Sequence, residues 1–188
     1  MNDGIVRVIG IDPGSNTGVA IYTLNAETFK IISIVTHTIT LECHIDTEAG
    51  SKQIRKVMYL SSRIKLLIEQ YNPIAIFSED VFVNSRFPLA AIYLTQYLTA
   101  IEMAIKQYSG IKFFKIAPKL IKKMYSGGGS SDKDDMLTAT INHPELKNYL
   151  IRSDLRSEYY TEHEVDAVAI GYIGLSYIRE NVFVLVSF

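Results

Sequence analysis

The chain has 188 residues, 48% of them apolar, and a formal net charge of −1 at neutral pH. That length suits one domain able to bury its own core, and no apolar run of about 18 residues is present to form a membrane-spanning helix. Asp3 and Arg7 interrupt the apolar residues at the start, so nothing there reads as a signal peptide, and Cys43 is the only cysteine, which excludes an internal disulfide and a multi-cysteine zinc site. The expectation is a soluble, cytoplasmic protein.

From Ile5 to Asp12, Thr17 to Leu24 and Phe29 to His37, β-branched residues dominate, and the short polar links between these runs predict a three-strand antiparallel meander. Residues 38 to 50 carry no clear period. Ile54, Val57, Met58, Ile64 and Ile68 then recur at helical spacing until Asn72-Pro73 stops the helix. A fourth strand follows from Ile74 to Glu79. Pro88 to Tyr108 predicts a helix apolar on more than one side, through Leu89, Ile92, Tyr93, Leu94, Tyr97, Leu98, Ile101, Met103 and Ile105, so that a second face is left for a partner subunit. A fifth strand spans Ile111 to Ile116. Pro118 opens a short lysine-rich helix, and Gly127 to Ser131 reads as a loop with too little side chain to order itself. Lys133 to Asn142 is helical again, and a last helix covers about Thr161 to Arg179.

A meander followed by strands returned through helices predicts an α/β fold: a mixed sheet covered on both faces, with the first and fourth strands as parallel neighbours at its centre. Residues 1–180 form one domain on this reading. The apolar tail 181–188 ("NVFVLVSF") is either an added edge strand or a dimer contact.

Asp12 and Glu79 each end one of the two central strands at the carboxyl edge, where open α/β sheets bind ligands. Asp-Pro-Gly is also ordinary turn chemistry, so Asp12 alone means little. Two neighbouring carboxylates repel, however, and both stay ionised only with a cation between them. In "TEHEVDAVAIGY" (161–172), His163 and Asp166 share one helical face three residues apart. Glu162 and Glu164 there are explained by the helix dipole, yet either could complete a metal site in place of His163. Asp166, flanked by apolar residues, needs a partner. Asp12, Glu79, Asp166 and His163 together make an oxygen-rich set with one imidazole, suited to Mg²⁺ or Mn²⁺. Two such ions serve phosphodiester hydrolysis.

"GIDPGSNTGVAI", "SEDVF", the lysine-rich helix with "GGGSSDK", and "HEVDAVAIGY" resemble, in order, the four signature regions of RuvC-type Holliday junction resolvases. The resemblance runs from Val6 to about Tyr177, and the tyrosine-rich, diverged character suits a bacteriophage version. It implies an RNase H-like fold, a homodimer, divalent metal, and paired nicks at a four-way DNA junction. It further implies that Asp12, Glu79, Asp166 and His163 are the metal-binding positions. By the same resemblance Lys122 and Lys133 are basic residues near the scissile phosphate, and Phe82 is an aromatic that stacks on a base at the junction centre. Lys119 and Lys123 of the lysine-rich helix join Lys122 and Lys133 as DNA contacts.

Six lysines and one acid lie between Lys112 and Lys133, and five basic residues with no acid lie between Ser51 and Lys65. Such runs are either solvated helix faces or nucleic-acid contacts. Sugar kinases and actin-like ATPases open with a similar strand, Asp and phosphate turn, but need two such domains. A silent DNA-binding module would be expected to lack metal ligands. A related nuclease acting on RNA or on other branched DNA is the alternative of the same chemistry.

Overall fold

In a computed structural model of the chain, residues 4–41, 52–82, 88–129, 131–149 and 160–185 are described, with 182–185 described through their backbone alone. Cys43, Ser130 and residues 186–188 lie outside them. The first β-branched runs become the strands β1 (Ile5–Asp12), β2 (Asn16–Asn25) and β3 (Ile31–Thr40). β3 includes Thr38 to Thr40, where the sequence shows no clear period, because Ile39 is buried and Asn16 and Thr17 of β2 pair with Thr40 and Ile39. Helix α1 (Lys52–Tyr71) ends at Asn72-Pro73, with Asn72 at φ 43. Strand β4 (Ala75–Glu79), helix α2 (Pro88–Ile105), strand β5 (Lys112–Ile116), and helices α3 (Pro118–Ser126), α4 (Lys133–Asn142) and α5 (Glu162–Leu185) follow, with a single 3-10 turn at Leu146–Asn148.

The sheet order is β3-β2-β1-β4-β5, antiparallel within the meander and parallel from β1 onward. This is the mixed five-stranded sheet expected, with β1 and β4 adjacent and parallel. α5 does not stop near Arg179. It continues to Leu185, so residues 181–185 extend a helix and do not add a strand to the sheet.

Strand alternation divides the core in two. Val8, Ala20, Tyr22, Leu24 and Phe77 point to the face covered by α3, α4 and α5, while Ile9, Ile11, Val19, Ile21 and Ile76 point to the face covered by α1 and α2. α2 buries Tyr97, Leu98, Ile101 and Ile105 there and leaves Leu89, Ile92 and Met103 exposed. Among the described residues no helix is long and apolar enough to cross a membrane.

α5 lies unusually close to the sheet. A β-carbon on Gly18 of β2 would fall 1.9 Å from the backbone oxygen of His163, and one on Gly10 of β1 would fall 2.3 Å from that of Ala167. The hydroxyl of the fully buried Tyr22 donates to the Val168 carbonyl at 2.6 Å. Farther along, Arg179 donates to the Phe29 carbonyl and pairs with Glu145, fastening the helix to the β2–β3 turn and to the 3-10 turn.

Because the obstacle at Gly18 is backbone on both sides, Gly18→Ala can be relieved only by moving the start of α5. Overpacking of this kind costs roughly 1–3 kcal/mol. Thermal denaturation of the Gly18→Ala protein beside the parent should show that loss as a lower melting temperature.

Candidate active site

The site follows from alternation and register. Val8, Gly10 and Asp12 share one face of β1, and Ala75, Phe77 and Glu79 share the same face of β4. The parallel register pairs Gly10 with Phe77 and Ile11 with Ser78, so the next residues along, Asp12 and Glu79, emerge side by side beneath α5. The first two turns of α5 then bring His163 and Asp166 over them.

His163 Nδ1 lies 3.0 Å from Asp12 Oδ2 and donates to it. Asp12 is 8% exposed. Burial raises its pKa, outweighing the opposing pull of His163. Burial, then Asp12, then Asp166 push the Glu79 carboxyl up to about 8, and protonated Glu79 shares a hydrogen bond with Asp12. Burial and then Asp12 push Asp166 to about 6, against the pull of Lys122 and His163. The hydrogen bond to Asp12 raises the His163 imidazole above its ordinary value. Three carboxyls and an imidazole thus compete for charge in one partly desolvated place.

Among the described residues no set of three or more His, Cys, Asp or Glu side chains stands arranged to hold a metal ion. Asp12 Oδ2 is engaged by His163 instead, and burial shifts all three carboxyls toward their neutral forms. The chemistry of the set still fits a hard divalent cation, since buried carboxyls with raised pKa values gain most from one.

The basic residues divide by contact. Lys122 Nζ donates to the Ser131 carbonyl at 2.8 Å, and its charge reaches both Glu79 and Asp166. Ser131 is itself buried and donates to the Gly128 carbonyl, a side-chain tie within a stretch whose composition offers few of them. Lys133, at the start of α4, forms an ion pair with Glu162. Lys119 Nζ lies 5.8 Å from the ring centre of Phe82, which is exposed beyond β4 and is no core aromatic. Lys123 is exposed in the last turn of α3.

The family model described as "Crossover junction endodeoxyribonuclease RuvC" matches residues 8–170, a span that contains every residue of this cluster. The chain belongs to this family. A RuvC of that description from Prosthecochloris aestuarii is 27% identical over 131 residues, which cover 69% of this chain and 64% of the relative. Thermus thermophilus RuvC superposes with a TM-score of 0.70 at 20% identity, covering 94% of this chain and 97% of that one. The structure described as T. thermophilus RuvC in complex with Holliday junction substrate superposes with a TM-score of 0.66 at 20% identity, covering 94% and 96%. The fold is therefore that of RuvC, the RNase H-like arrangement that the sequence resemblance implies. RuvC proteins are divalent-metal-dependent nucleases, and the acidic cluster is built from the motifs that carry the family likeness.

Glu164, one of the two acids that could replace His163 as a ligand, is otherwise engaged. It receives the Thr161 N–H and gives its own N–H to the Thr161 hydroxyl, a capping box that also takes in Thr38 of β3. The Thr-x-x-Glu spacing signals such a cap in the sequence. Glu162, held by Lys133 and 3.6 Å from His163 Nε2, borders the cluster.

The raised Glu79 value has a sign for stability. A carboxyl whose folded pKa exceeds its unfolded one stabilises the fold most below the unfolded value of 4.5 and loses that contribution as pH rises through about 8. Metal-free protein should therefore melt at a lower temperature near about pH 8.5 than near about pH 5.5, and Glu79→Gln should flatten the difference. Added Mn²⁺, which favours the ionised carboxylates, should raise the melting temperature more at the higher pH.

Proposed function

We propose that this protein resolves four-way DNA junctions by divalent-metal-dependent phosphodiester hydrolysis, working in the cytoplasm as a homodimer that places paired nicks. The observation that carries the reading is the cluster of Asp12, Glu79, Asp166 and His163 within a chain that belongs to a crossover junction endodeoxyribonuclease family. Residues 1–180 act as one nuclease domain, and residues 181–185, which continue α5, belong with it.

Asp12, Glu79, Asp166 and His163 would hold the ions, Mg²⁺ or Mn²⁺ and two per site. Bound there, such a pair supplies an activated water and a Lewis acid for the leaving 3′ oxygen. The residues have their own work to do. Glu79 gives up the proton that burial and Asp12 keep on it, and His163 releases Asp12. Lys122, fixed by Ser131, holds positive charge near both Glu79 and Asp166. Lys133 leaves Glu162 for the scissile phosphate, where negative charge develops in the transition state. Phe82, with Lys119 beside it, offers an exposed ring to an unpaired base at the junction centre, while Lys119 and Lys123 contact backbone phosphates. The dimer forms through the outward face of α2, whose Leu89, Ile92 and Met103 are exposed.

The test compares a synthetic four-way junction with linear duplex DNA and with duplex RNA, with and without Mg²⁺. Junction-selective, metal-dependent paired nicking is expected, and equal cleavage of linear DNA or of RNA would overturn the substrate assignment. Asp12→Asn, Glu79→Gln and Asp166→Asn should each abolish cleavage while junction binding persists, since basic contacts set the affinity. Cleavage should rise with pH as Asp166 ionises near about 6 and Glu79 near about 8. More divalent ion should move that rise to lower pH, because binding favours the ionised carboxylates.

A further inference from the structure

The basic run at the start of α1 has no part in the site described so far, yet the fold carries it to the site's edge. Gly14 and Ser15 follow Asp12 after one proline, and with Lys52 and Lys56 of α1 and Tyr93 of α2 they line a groove of about 580 Å³. Lys52 is exposed and Lys56 half-buried, and Tyr93 is 45% exposed. None of the described residues lining the groove is acidic. A side-chain nitrogen of Gln53, also at the groove, is buried without a hydrogen-bond partner.

We propose that this groove is a second DNA-backbone site, which grips the phosphates of the cleaved strand on the side of the scissile bond remote from α3. The proposal rests on the junction-resolving reading above. Its geometry is that of the sheet. Asp12 and Glu79 face α5 and the α3 lysines, whereas Lys52 and Lys56 stand over the opposite face, so a strand crossing the carboxyl edge of β1 meets basic residues before and after the acidic cluster. Two lysines beside a groove that has no acid among its described lining residues match a polyanion, and the amide nitrogen of Gln53 is a donor in want of an acceptor such as a phosphate oxygen. The tyrosine ring suits sugar or base contact at the same place.

The experiment measures binding of a fluorescent four-way junction in metal-free buffer over a range of salt concentrations. The parent is compared with Lys52→Ala/Lys56→Ala and with Arg63→Ala/Lys65→Ala, which removes equal charge from the same helix outside the groove. The groove variant should lose about tenfold or more in affinity near physiological salt, and its slope of log affinity against log salt should fall by about two, one for each lost phosphate contact. The control variant should keep both values, and Lys52→Arg/Lys56→Arg should restore them. Equal behaviour of the two alanine pairs would overturn the groove as a DNA site. A groove variant that changes sedimentation state in the absence of DNA would overturn it in favour of an interface between copies of the chain. A parent protein that does not prefer the junction to linear duplex would instead overturn the junction-resolving reading itself.

Discussion

The close approach of α5 to β1 and β2 is the constraint on which the rest depends. It exists because Gly10 and Gly18 present no side chain where the backbone of His163 and Ala167 comes down. Tyr22 adds a hydrogen bond from inside the sheet, and Arg179 anchors the far half of the helix. A helix standing one methyl group farther away would carry His163 and Asp166 out of reach of Asp12. Packing at two glycines is thus what turns three separate acids and a histidine into one electrostatic unit.

That unit is costly as it stands. Burial and then repulsion raise Glu79 to about 8 and Asp166 to about 6, and the hydrogen bond to Asp12 draws His163 toward the imidazolium form. The same strain makes the cluster receptive, since a group of buried carboxyls that cannot ionise together gains more from a divalent ion than exposed acids do. The pairing of Lys133 with Glu162 is a surface contact of small worth, which leaves the lysine free to exchange one anion for another when a phosphate arrives.

Much of this is legible in the sequence, for definable reasons. The sheet follows from period-two runs broken by turn residues, and the pairing of Asp12 with Glu79 follows from their equivalent places at the ends of parallel strands. The spacing of His163 and Asp166 puts them on one helical face. Other features depend on distances between segments remote in the chain and have no local signal. Nothing around Gly18 foretells that the His163 carbonyl will lie against it, and nothing around Ser131 foretells that it will be buried and will fix Lys122. The end of α5 has no clear local signal, because the apolar, β-branched residues after Arg179 suit a strand as well as a helix, and the helix already formed decides between them. Thr161 and Glu164 did carry a legible cap, hidden beneath the more conspicuous run of acids.

A net charge of −1 is compatible with a polyanionic ligand only if the charge is segregated, and the fold segregates it. Lys119, Lys122 and Lys123 gather on α3 to one side of the sheet edge, while Lys52, Arg55 and Lys56 gather at the start of α1 on the other. Of the acids between them, Glu79 keeps its proton up to about pH 8 and Asp166 up to about 6, and Glu145 is paired with Arg179. A cation bound among Asp12, Glu79 and Asp166 would cancel more of the negative charge between the two basic walls. Binding of metal and of nucleic acid would then reinforce one another through electrostatics alone, with no movement of the sheet required.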